Sequence, residues 1–93
     1  MNARYYIDPS TDEPHIYGHA VTEREVDDVL GRPIEDRPGR EGSRVAIGQT
    51  RAGRYLRVIY IPDEQPGSVF VITSYELGRH ALRALRRRRK KKV

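Results

Sequence analysis

The sequence predicts an α+β fold: two N-terminal helices, an antiparallel sheet of three to four strands, and a basic C-terminal helix. Three observations carry this prediction. A helix-start signature at Thr22 opens a short apolar stripe. Residues 44–75 then alternate apolar and polar side chains between clusters of turn formers. The chain closes on a segment whose apolar residues recur at helical spacing.

Taken in order, Arg4-Tyr5-Tyr6-Ile7 suits a short edge strand or a docked arm. Asp8 to Pro14 is rich in turn residues, and Ser10 or Thr11 can cap a short helix running to about Tyr17. Gly18 suits the left-handed position after it. Thr22-Glu23-Arg24-Glu25 has the form of a capping box, in which the Thr22 and Glu25 side chains each bond the other residue's amide. Val21 and Val26 flank it at the spacing of a hydrophobic staple. Val26, Val29 and Leu30 form one apolar stripe, and Gly31 and Pro33 end the helix, which spans about Glu23 to Leu30.

Residues 31–43 are broken by prolines and glycines, with a short strand around Ile34–Arg37. A strand follows over Arg44–Thr50, then a hairpin connection at Arg51-Ala52-Gly53, then a second strand over Tyr55–Ile61. Pro62 to Gly67 is a turn region, and Ser68–Tyr75 forms a third strand. Apolar residues on both faces of the last two strands place them in the middle of the sheet. The final helix is expected from Glu76 to about Arg89, with Leu77, Ala81, Ala84 and Leu85 on the sheet. Arg79, Arg83, Arg86, Arg87 and Lys90 recur on another face as a cationic ridge. The chain reads as one domain over residues 1–85 with a basic tail over 86–93.

The charge is unevenly spread. The first seventy-six residues carry nine basic and thirteen acidic side chains, a net of −4, whereas the last seventeen carry nine basic ones and no acid. A mildly acidic body joined to so cationic an end points to a polyanion partner, and phosphate backbones are the commonest. With no cysteine, neither a disulfide framework nor a thiolate metal site is available. His15 and His19 stand four apart, yet Gly18 interrupts them and no third ligand is evident, so neither a metal nor a cofactor is expected. No Walker or dinucleotide pattern occurs. The absence of a long apolar run or a signal-peptide pattern makes a cytoplasmic protein away from membranes the expectation.

Three segments together resemble the BrnT-like toxins of the RelE/ParE superfamily. These are Gly18-His19-Ala20-Val21-Thr22 with Glu25-Val26, then Ala46 to Val58 with its Gly53-Arg54-Tyr55-Leu56-Arg57 hairpin, then Val71-Ile72-Thr73-Ser74-Tyr75-Glu76 followed by arginines. The resemblance covers most of residues 15–88. It implies a RelE-like fold and the toxin of a bacterial type II toxin–antitoxin pair. Such a toxin is a ribonuclease that stops translation, bound to the ribosome or free, and is neutralised by an antitoxin protein. The junction after Tyr75 is poorer in arginine than the family form, and residues 1–89 contain no lysine. The same fold without catalysis, as an RNA- or ribosome-binding module, is the alternative.

Metal-independent RNA cleavage needs a base for the 2′-hydroxyl, an acid for the leaving oxygen, and a cation at the phosphorus. Arginine serves the last role through its guanidinium fork. The catalytic candidates are therefore Arg54 and Arg57 on the second strand, Tyr75 and Arg79 at the strand–helix junction, and the histidines, of which His80 could meet a phosphate near Arg79. Arg54, Arg57 and Arg79 are expected to converge on one patch. Arg83, Arg86, Arg87, Arg88, Arg89, Lys90, Lys91 and Lys92 are the candidates for nucleic-acid binding. The structural alternatives are an Arg57 that covers the sheet's open side, a Tyr75 at the core's edge, a half-buried His80, and a His19 hydrogen-bonded within its loop. For the basic end, the alternative is a solubilising tail or the contact for an acidic protein.

Overall fold

In a computed structural model, which describes residues 2–91, a five-stranded mixed sheet carries one helix on each face. The elements are β1 (Asn2–Tyr5), β2 (Ile7–Asp8), β3 (Glu13–Pro14), a 3₁₀ turn over His15–His19, α1 (Glu23–Gly31), β4 (Glu35–Pro38), β5 (Arg44–Gln49), β6 (Tyr55–Pro62), β7 (Ser68–Glu76) and α2 (Arg79–Lys91). The strand order is β1-β7-β6-β5-β4. The β4–β7 meander is antiparallel throughout, whereas β1 runs parallel to β7 with Asn2 opposite Ser68 and Tyr5 opposite Val71.

Each connection rests on local chemistry. Thr50 accepts the Arg54 amide on its Oγ1 at 3.0 Å, and Gly53 takes φ of 100°, which closes the β5–β6 hairpin in a conformation few other residues adopt. The β6–β7 turn is locked by Asp63. Its carboxylate accepts Arg4 Nη2 on both oxygens at 2.8 Å and the Ser68 hydroxyl at 2.9 Å, and these bonds hold its pKa below the usual carboxylate value. The Arg4 contact also ties β1 to the turn, which fixes the parallel edge strand.

The N-terminal region differs from expectation. No α-helix forms between Ser10 and Tyr17. Asp8 accepts the Ser10 amide at 2.8 Å, Asp12 takes φ of 60°, and Glu13-Pro14 pairs back on Ile7-Asp8 as a two-residue ladder. The residue before a proline disfavours helical geometry, so Pro14 delays the helical turn to His15, where it lasts one 3₁₀ stretch. Ala20, with φ of 57°, and not Gly18, takes the left-handed position. The described residues thus form two α-helices, one in the N-terminal third and one near the C-terminal end. The last helix begins at Arg79 and not at Glu76, because Glu76 still pairs with Leu56 and the Leu77 amide donates to the Tyr55 carbonyl.

α1 forms where the capping box predicts it. The Glu25 amide donates to Thr22 Oγ1 at 3.2 Å, and the Thr22 amide donates to Glu25 Oε1 at 3.0 Å. Val26, Val29 and Leu30 of α1 pack with Ile16, Val21, Ala46, Leu56, Val58, Tyr60, Val69 and Val71 as the main core on the first face of the sheet. Gly48 lets α1 approach closely, since a Cβ there would lie 3.1 Å from Val29. The second face is covered only in part. Ile47 packs with Leu77 and Leu85, and Ile34, Tyr55, Ala81 and Leu82 surround this smaller cluster. α2 therefore crosses one end of the second face, over the start of β6, and leaves the rest of that face open. No helix among the described residues is long and apolar enough to cross a membrane.

Candidate nucleic-acid interface

The open half of the second face forms a groove of about 580 Å³. Its floor is Val45, Ile59, Ile61 and Ile72; Arg57 and Tyr75 lie at the α2 side, Arg37 comes from β4, and Arg40 and Glu41 come from the β4–β5 connection. A bulge opposite Ile59 and Tyr60 inserts Ile72 as an extra residue in β7, which adds it to the floor. In the connection, Glu41 and Gly42 both take positive φ, 54° and 80°, which turns the loop up as the groove's far wall.

Arg57 and Tyr75 are direct partners across β6 and β7, and the guanidinium carbon lies 5.9 Å from the tyrosine ring centre. Beneath them the buried Ser74 hydroxyl donates to the Arg57 carbonyl at 2.9 Å, which fixes this rung from the core side. Arg57 Nε is buried without a hydrogen-bond partner, and Thr73 Oγ1, one rung away on the same face opposite Ile59, is in the same state. Unmet buried polar atoms cost free energy, and native folds leave few of them. Of the two residues, Arg57 lines the groove.

A row of rings extends this rung along β7. Beyond the end of β1 the 3₁₀ turn covers the β7 edge and sets the His19 ring 5.9 Å from Tyr75. His15 lies edge-on to His19 at 5.2 Å, and Tyr6 follows His15 at 6.0 Å. His15 Nδ1 faces the Asp8 carboxylate at 3.4 Å. The His19 side chain makes no hydrogen bond among the described residues, so the expected loop-holding bond is not found there. Of the histidines, it is His19, an exposed imidazole with neither ring nitrogen hydrogen-bonded among the described residues, that stands beside the Arg57–Tyr75 rung.

The expected convergence of Arg54, Arg57 and Arg79 does not occur. Arg54 emerges on the α1 side of the sheet. Its Nη1 donates to the Ala20 carbonyl at 2.9 Å and to Glu25 at 2.8 and 3.0 Å, and its Nε and Nη2 reach Glu76 at 3.3 and 3.2 Å. These bonds, foremost those to Glu25, raise the Arg54 pKa and commit the guanidinium to the fold. Arg79 and His80 are exposed in the first turn of α2. Arg83, Arg86, Arg87, Arg89 and Lys90 are also exposed, and none has an ion-pair partner among the described residues. Arg88 differs from the free cation expected: its Nε and Nη2 donate to Glu35 at 2.7 and 2.9 Å, which pins α2 to β4. The Lys91 side chain and Lys92 lie outside the described residues.

The Glu25–Arg54 pair gives stability a defined pH dependence. Partial burial of Glu25 opposes ionisation, but the Thr22 amide and the Arg54 guanidinium outweigh it and lower the pKa. A lowered folded-state pKa means the contribution is full above the ordinary value of 4.5 and is lost as pH falls through the folded value. Glu25→Gln is expected to cost about 1–2 kcal/mol at pH 7, since charge-assisted hydrogen bonds of this kind carry about 1.5–3 kcal/mol. The variant's melting temperature should also fall less steeply than the wild type's below pH 4.5. Calorimetry across pH 3–7 checks both; parallel curves would show that Glu25 does not titrate with folding.

Compared with known proteins, the chain matches no family model, no curated protein and no solved structure.

Proposed function

We propose that this protein is a small RNA-cleaving toxin, with the groove at Arg57 as its site. One observation carries the reading: a guanidinium with an unmet N–H, paired to a tyrosine and neighboured by a free imidazole, faces an apolar groove on the uncovered side of a sheet. A single RNA strand fits the groove's chemistry, with a base against the isoleucines and Tyr75. The adjoining phosphate then meets Arg57, whose fork binds two non-bridging oxygens and stabilises the charge that builds on them. His19 takes the proton of the 2′-hydroxyl as its oxygen attacks phosphorus. The bond to the 5′-oxygen breaks, that oxygen takes a proton from solvent water, and the upstream fragment ends in a 2′,3′-cyclic phosphate. An antitoxin would act by occupying the groove.

The purified chain, incubated with a single-stranded RNA oligonucleotide in chelator, should yield fragments ending in cyclic phosphate. A 2′-O-methyl version should stay whole, because it lacks the attacking hydroxyl. Expression without an antitoxin should arrest bacterial growth. Intact RNA together with normal growth would remove the cleavage reading.

A second reading is a non-catalytic RNA-binding module, favoured by the commitment of Arg54 to Glu25 and Glu76, which leaves one arginine of the β6 pair facing the groove. Under it the oligonucleotide binds and is released uncut.

A further inference from the structure

The cations of α2 do not all face the groove. Arg88 bonds Glu35, which lies opposite Ile47 in the same cross-strand row as Arg57 and Tyr75. That marks the groove-facing flank of the helix. Leu82 and Arg86 border a separate hollow with Gly53, Arg54 and Glu76, beyond the end of the sheet, and mark the opposite flank. At 100° per residue, Arg79, Arg83, Arg86 and Lys90 fall within an arc of about 60° on that opposite, outward side. They form one straight row about 16 Å long. All four are exposed and none is ion-paired among the described residues. No aromatic or apolar side chain interrupts the arc.

We propose that this row is a second RNA contact, separate from the groove, that docks the phosphate backbone of double-helical RNA. Charge complementarity selects a polyanion. The lack of any ring in the arc argues against a single strand, whose bases would need stacking platforms. A duplex keeps its bases inside and offers its backbone, which is how proteins recognise double-stranded RNA by shape and phosphate. A rigid row on one helix suits such a partner. The proposal extends the RNA-binding part of the reading above and is independent of cleavage. RNA is chosen over DNA because the groove on the same chain is assigned to an RNA strand, and a folded RNA supplies both.

The test uses the full chain and a variant carrying Arg79→Gln, Arg83→Gln, Arg86→Gln and Lys90→Gln. Glutamine keeps helix propensity and relieves repulsion between neighbouring cations, so circular dichroism should match the wild type. Fluorescence anisotropy across a salt series would follow a blunt RNA duplex, a DNA duplex of equal length, and an unstructured 2′-O-methyl single strand. The expected result is at least a 100-fold loss of RNA-duplex affinity in the variant. The log–log salt slope should also fall in magnitude by about 3.6, near 0.9 for each of the four lost phosphate contacts. Single-strand affinity should change less than fivefold. Arg57→Gln should give the reverse pattern. Unchanged duplex binding in the variant would overturn the proposal, as would equal losses for duplex and single strand. So would tighter binding of DNA than of RNA duplex, or displacement of the duplex by polyglutamate at equal charge. If no RNA is cut under any condition, the cleavage reading fails while this pattern still stands or falls on binding.

Discussion

Arg57→Gln is expected to slow RNA cleavage by about 10²–10³-fold, the usual consequence of removing one pre-aimed donor from a developing oxyanion. The side chain stands on a β-strand whose backbone is held on both sides, by Ile47 in β5 and by Tyr75 in β7. Its position is therefore set before any ligand arrives, and little reorganisation accompanies reaction. The fold should be nearly indifferent to the change, because Nε has no protein partner and the one interaction lost is the contact with the Tyr75 ring. That contact contributes about 0.5–1 kcal/mol at most in a half-exposed setting. Arg57→Lys separates charge from geometry. It keeps a cation but loses the bidentate fork, so the rate should stay at least tenfold below wild type. Single-turnover cleavage with matched thermal melts gives both numbers. Full activity in Arg57→Gln would place the chemistry elsewhere.

Leu85→Ala is expected to cost about 2–5 kcal/mol of stability. Leu85 is fully buried, at 0% exposure, and shares its cluster with Ile47 and Leu77 alone among the fully packed residues. α2 is otherwise a string of mutually repelling cations, and its second firm attachment is the Arg88–Glu35 fork. A cavity at Leu85 removes most of the apolar seam that holds the helix on the sheet. A domain of this size has about 5–15 kcal/mol of total stability, so the loss should show plainly in urea unfolding. RNA affinity should fall in step, because the cationic surface is displayed by this helix. Leu82→Ala, at a half-buried position on the rim of the same cluster, should cost about 1 kcal/mol or less. Equal effects at the two positions would mean that α2 is not seated as described.

The α+β class, the capped helix at Thr22, the β5–β7 meander and the basic closing helix were legible because each rests on a local signal. The β1 pairing was not. Parallel ladders join residues far apart in the chain, and Asn2-Ala3-Arg4-Tyr5 alone does not point to β7; the contact that decides it is between Arg4 and Asp63. The failed N-terminal helix was partly legible, since Pro14 sits within its expected span. The separation of Arg54 from Arg57 was legible in principle. Residues three apart along a strand face opposite sides, and only Arg57 shares parity with Ile59 and Ile61. What no spacing rule gave was the place of His19, which depends on the 3₁₀ turn docking over the exposed length of β7.

The central claim is that an RNA strand lies in the groove against Arg57 and Tyr75. The most direct measurement is a nuclear magnetic resonance titration of the labelled protein with an uncleavable 2′-O-methyl oligonucleotide, following the Arg57 side-chain N–H and the Tyr75 ring. Saturable shifts at both, together with His19 and the isoleucine methyls of the floor, are the expected result. Shifts restricted to the arginines and lysine of α2, with Arg57 and Tyr75 unmoved at saturation, would contradict the account.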